Sequence, residues 1–144
     1  MSNEFLYTGI LNLYNNLEFM VLFSVGMTTI NCFINLCQKK NSNFNFRLSL
    51  FTLILTFIFS FFGLLIYFTN LISDYLKVSS SMVSYTGYDS VYALQENVLN
   101  LFSLVLITIG WSLHKKHSSI TKKKLRLGVF YLLGFLILYF NFGN

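Results

Sequence analysis

Four stretches of the chain are apolar for long enough to suggest membrane crossings, and polar or charged residues separate them. They run over residues 17–36, 48–72, 94–113 and 125–140. A hydrocarbon layer about 30 Å thick needs roughly 20 apolar residues in helical form. The first three runs meet that length, and the fourth is shorter, with Arg126 at its mouth. Backbone N–H and C=O groups cannot stay unpaired in lipid, and these runs are too long and too uniformly apolar for barrel strands. Each is therefore expected to be a helix, whatever strand propensity Phe, Ile and Tyr show elsewhere. Ahead of the first span, residues 5–14 are expected to form a short helix lying in the headgroup layer.

Polar residues inside the spans fall at helical spacing. In the first, Ser24, Thr28, Asn31 and Asn35 follow steps of four, three and four. Thr52, Thr56, Ser60, Gly63, Tyr67 and Asn70 repeat that rhythm in the second, and Glu96, Asn100 and Ser103 in the third. The fourth has Gly128, Tyr131 and Gly134. Such seams let helices approach closely and exchange hydrogen bonds, each worth about 0.6 kcal/mol in a membrane. Asp89 or Ser90 is placed to cap the third helix, and Asn70, Ser73 and Asp74 to form the polar exit of the second. The expected fold is an all-α membrane protein, one domain over residues 1–144, with four transmembrane helices and both termini on the same, non-basic side.

Composition agrees with that solvent. Hydrophobic residues make up 55% of the chain and charged residues 10%, against about 25% charged in a soluble domain. Seventeen Phe, nine Tyr, no Pro, a single alanine at Ala93 and eight Lys against two Arg follow the codon preferences of an AT-rich genome. The N-terminal residues lack the basic start of a secretory signal and the arginines of a transit peptide, so the chain is expected to be used from Met1.

Charge orients the spans. Of the ten basic residues, Lys39, Lys40, Arg47, Lys115, Lys116, Lys122, Lys123, Lys124 and Arg126 lie in or beside the first and third connections, and Lys77 alone lies opposite. The five acids, Glu4, Glu18, Asp74, Asp89 and Glu96, gather on the side of the termini. The positive-inside rule then directs the basic side to a bacterial cytoplasm or a mitochondrial matrix. Tyr7, Tyr14, Tyr75, Tyr85, Tyr88, Tyr92 and Tyr139 fall at the acidic interface as an aromatic belt, and Trp111 marks the basic one.

Glu18 and Glu96, with Asn100, are the candidates for ion or proton handling or for contact with a partner, because an ionisable group within a span is costly. Lys115, Lys116, Lys122, Lys123, Lys124 and Arg126 are candidates for contact with anionic lipid such as cardiolipin. His114 and His117 flank two of these lysines in a basic loop and extend the cationic surface. Cys32 and Cys37 have neither CxxC nor zinc-site spacing and are read as apolar packing residues. No phosphate loop, HExxH or GxSxG is present. Neither catalysis by the chain alone, nor a metal, nor a cofactor, nor a nucleic-acid partner is expected.

In composition the whole chain resembles the hydrophobic subunits of respiratory-chain complexes encoded in AT-rich mitochondrial genomes. Asn16-Leu17-Glu18-Phe19-Met20 and Ala93-Leu94-Gln95-Glu96 are similar to the glutamate-bearing helices of the three-helix proton-pathway subunit of complex I. That family places its glutamates on consecutive helices, whereas a whole span separates them here. Gly110-Trp111-Ser112-Leu113-His114 ahead of the last span resembles the membrane anchor of succinate dehydrogenase, without that family's quinone-site serine and arginine motif. The seams, the remaining apolar surface and the compositional resemblance lead to the expectation of a noncatalytic subunit of a multisubunit membrane complex, in the mitochondrial inner membrane or a bacterial plasma membrane. The alternative expectation is a small ion or proton channel or transporter, including a divergent proton-pathway subunit of complex I, or a succinate dehydrogenase-type membrane anchor.

Overall fold

The computed structural model describes residues 2–38, 43–78, 88–115 and 119–143. Among them are four helices, α1 (Ser2–Cys37), α2 (Asn43–Val78), α3 (Tyr88–Lys115) and α4 (Ile120–Phe142), and no strand. Each contains a segment long and apolar enough to cross a membrane: Thr8–Cys37, Phe44–Ile72, Leu94–Lys115 and Ile120–Phe142. These are the spans an integral membrane protein requires.

Every helix extends beyond the apolar run that predicts it. Apolarity marks the hydrocarbon layer, whereas a helix continues through the headgroup layer for as long as its backbone bonds propagate. Residues 5–14, expected as a separate interfacial helix, are the opening turns of α1, which runs on unbroken. Tyr14 is buried in the bundle instead of standing in an aromatic belt. In α2 the helix passes through Asn70, Ser73 and Asp74, and α3 begins at Tyr88, so Asp89 and Ser90 lie inside its first turn rather than ahead of it. The short fourth run becomes a helix of 23 residues because Lys122, Lys123 and Lys124 join it. At 1.5 Å per residue that is about 35 Å, enough to cross.

The helices form a ring in chain order: α1 packs on α2, α2 on α3, α3 on α4, and α4 closes back on α1. Packing is most extensive where α4 meets α3 and α1. The interior holds Val21, Val25 and Cys32 of α1, Phe59 of α2, Ile107 of α3, and Leu127, Tyr131 and Leu138 of α4. Between α3 and α4 two glycines set the separation. A Cβ on Gly110 would come within 2.6 Å of the Phe130 Cβ, and one on Gly134 within 2.8 Å of Ile107 Cγ1.

Outside, the surface is apolar. Phe19 and Phe23 are 73% and 70% exposed, and Phe44, Phe57, Phe102 and Phe140 also point outward. An aqueous surface so rich in exposed aromatics would drive aggregation, while lipid solvates it at no such cost.

Gly134→Val is expected to overpack the α3–α4 contact and destabilise the bundle by about 1–3 kcal/mol, read as a lower thermal midpoint in detergent. Gly9→Ala, where nothing lies within 4 Å, should leave the midpoint unchanged or raise it. Equal effects from the two substitutions would contradict the close packing.

Candidate functional site

The predicted stripes turn inward. Thr28, Thr52, Thr56, Asn100 and Ser103 are almost fully buried, as are Ser24, Asn35 and Ser60. Gly128, Tyr131 and Gly134 are the buried face of α4. The α2 stripe leaves the interior near its end, where Tyr67 is half-buried and Asn70 exposed. Ser24, Thr28, Thr52 and Thr56 each hydrogen-bond a carbonyl three or four residues back, which satisfies the hydroxyl within its own helix.

Cross-helix bonds then join the seams. The Thr28 and Thr52 hydroxyls meet at 2.7 Å between α1 and α2. One turn further, Asn31 and Asn35 each donate from Nδ2 to Asn45 Oδ1, at 2.7 and 2.9 Å. Through the middle of the ring, the Tyr131 hydroxyl of α4 donates to the Ser49 carbonyl of α2 at 2.7 Å. Ser103 Oγ of α3 donates to the Gly134 carbonyl at 2.9 Å, an approach that a larger residue at position 134 would obstruct. Two buried groups, Asn45 Nδ2 and Ser60 Oγ, have no hydrogen-bond partner among the described residues.

At the acidic end all four helices converge on one polar cluster. The Tyr14 hydroxyl of α1 donates to the Glu96 carboxyl of α3 and accepts from Asn100 Nδ2 at 3.4 Å. Asn141 of α4 donates to Asn100 Oδ1 at 2.9 Å and to the Glu96 carbonyl at 3.2 Å. From α2, Phe59 stacks on the Tyr14 ring with centroids 4.8 Å apart. Gly63 leaves the space for Asn97 and Tyr14, since a Cβ there would lie 2.8 Å from Asn97 Oδ1 and 3.1 Å from the Tyr14 oxygen. Glu18 is half-buried and within electrostatic reach of Glu96.

Thus the three candidates, Glu18, Glu96 and Asn100, gather at one place. Tyr14, expected in the interfacial belt, and Asn97 and Asn141, which lie three residues before Asn100 and seven after Gly134, complete it. Chemically the cluster is a carboxyl group beside a phenol, with one amide bonded to that phenol and a second to the Glu96 backbone carbonyl, and another carboxyl nearby. Such a set can clamp four helices and can hold a proton or a cationic group of a neighbour.

At the other end the cationic candidates divide. Lys115 and Lys122 are exposed, and Lys123 and Arg126 are half-buried. Lys116 and His117 lie outside the described residues. Lys124 is only 3% exposed and faces inward, near Cys32, so it is not part of the outer cationic surface. Lys115 leans over the Trp111 ring, 5.3 Å from its centroid. His114 is also buried rather than in a loop: α3 continues through it, its ring stacks on Phe46, and Nδ1 meets the Trp111 carbonyl. Cys32 is buried and Cys37 exposed, and both are free thiols. Among the described residues no group of three or more His, Cys, Asp and Glu is placed to hold a metal.

Fold and polar interior together define a four-helix bundle built for a membrane, with its polar side chains turned in and its apolar ones turned out. No protein family, curated protein or solved structure matches the chain.

Asn100→Leu removes the amide that joins Tyr14 to Asn141, and should destabilise the bundle by about 1–2 kcal/mol by taking one partner from each. Asn70→Leu, at an exposed position of α2, should cost less. Thermal midpoints in the same detergent compare the two, and a larger loss at position 70 would contradict the cluster's role.

Proposed function

We propose that this chain is a noncatalytic structural subunit of a larger membrane assembly, holding neighbouring subunits and lipid around a rigid four-helix unit. The observation that carries this reading is how the side chains are partitioned. Polar groups from every helix bond to one another inside the bundle, and outward faces on all four helices remain apolar. Such faces pack readily against other membrane helices or lipid chains. The compositional resemblance favours a respiratory-chain complex of the mitochondrial inner membrane, with the basic end toward the matrix. In a bacterium the same charge distribution would face the cytoplasm. On this reading Lys115, Lys116, Lys122, Lys123 and Arg126 meet anionic headgroups such as those of cardiolipin.

A second reading, a small ion or proton path, is favoured by the convergence of Glu18 and Glu96 on Tyr14 and Asn100. The internal pairing of these groups weighs toward the clamp. Purified protein in liposomes separates the two: conductance or proton flux abolished by Glu96→Gln would establish the path.

For the leading proposal, blue-native electrophoresis after gentle solubilisation should find the chain in a band far heavier than its 16.7 kDa, together with other membrane proteins. A chain migrating only as a free monomer or small homo-oligomer would rule that proposal out.

A further inference from the structure

On the outside of the bundle, between α1 and α2, lies an open groove of about 420 Å³. Met20, Met27 and Ile34 form much of its α1 wall, and Phe44, Phe51 and Leu55 much of its α2 wall. Ser24 and Asn31 also line it, yet both bond within the protein: Ser24 Oγ donates to the Val21 carbonyl and Asn31 Nδ2 to Asn45 Oδ1. The groove surface is therefore hydrocarbon in character and lies on the face that a bilayer would cover.

Its proportions select the occupant. From Met20 to Ile34 the wall is about 21 Å long at 1.5 Å per residue, and Met20, Phe23, Met27, Ile30 and Ile34 line it along that length. An extended methylene chain lying along it meets apolar side chains throughout and asks for no hydrogen bond.

One end of the groove is marked by charge. Arg47 lies three residues after Phe44 and four before Phe51, which puts it on the same side of α2, and it is exposed. Ile34 and Phe44 line the groove at this end, while Glu18 and Glu96 lie at the far end of the bundle with Tyr14. We infer that the α1–α2 groove holds one acyl chain of an anionic phospholipid whose phosphate meets Arg47. This site is separate from the lysines of α3 and α4, and it would serve a free bundle and an assembled subunit alike.

The test reconstitutes the full chain into phosphatidylcholine vesicles carrying a minor share of phosphatidylglycerol with a diazirine in its acyl chain. After illumination, lipid adducts are mapped by mass spectrometry. Adducts are expected to concentrate on Met20, Met27 and Phe51 over the outward residues Val98, Phe102 and Val105 of α3. Arg47→Gln should lower groove labelling by about fivefold, the loss expected for one basic contact with an anionic surface, and should not change labelling by the same diazirine on phosphatidylcholine. Met27→Trp, which fills the groove, should remove the concentration of adducts while the helical circular dichroism is unchanged. Labelling spread evenly over all four helices would overturn the proposal. So would labelling indifferent to headgroup and to Arg47.

Discussion

Hydrocarbon offers no hydrogen-bond partner, and that constraint organises the molecule from backbone to surface. The backbone meets it by forming helices throughout the apolar runs. The side chains meet it in two stages. Threonine and serine hydroxyls first bond to carbonyls of their own helix. Bonds across the seams then join the helices, as where Asn31 and Asn35 donate to Asn45 or Tyr131 to the Ser49 carbonyl. Each such bond contributes little alone, but leaving either partner buried and unpaired costs more than the bond contributes. The seams therefore decide which faces meet, and the small residues Gly110 and Gly134 decide how closely.

The same constraint separates the ends of the bundle. Glu18 and Glu96 stay within reach of one headgroup layer, where the tyrosine and asparagine cluster gives Glu96 internal partners. Arg47, Lys115 and Lys122 are exposed at the other end, where long basic side chains can reach the interface. Lys124 is the exception, since it turns into the bundle beside α1. Between the two ends the polar side chains form a chain of pairs that holds the helices in register.

The inward stripes were legible in the sequence because they repeat at steps of three and four, and helical geometry carries that spacing directly onto one face. Gly63, Thr56 and Ser103 face inward for that reason. What periodicity does not encode is the partner across the interface. Tyr14 reads as a belt residue because tyrosine suits an interface as well as a buried hydrogen bond. Asn97 and Asn141 are in register with Asn100 and Gly134, but what they bond to depends on how the helices dock. Helix ends were obscured for a different reason: hydropathy marks where lipid stops, and these helices continue past that point. His114 and Lys124 show the same limit, since charge suggested loops where the chain is helical.

Nitroxide labels scanned along α2 in bilayers report whether the polar faces form a dry interior while the apolar faces meet lipid. Collision with lipid-soluble oxygen should peak at Phe57 and Phe61, which are exposed, and fall at Thr52, Thr56 and Ser60, which are buried. A water-soluble nickel chelate should reach none of these five positions. Oxygen exposure without helical period, or nickel collisions at Thr52 and Thr56, would contradict the account.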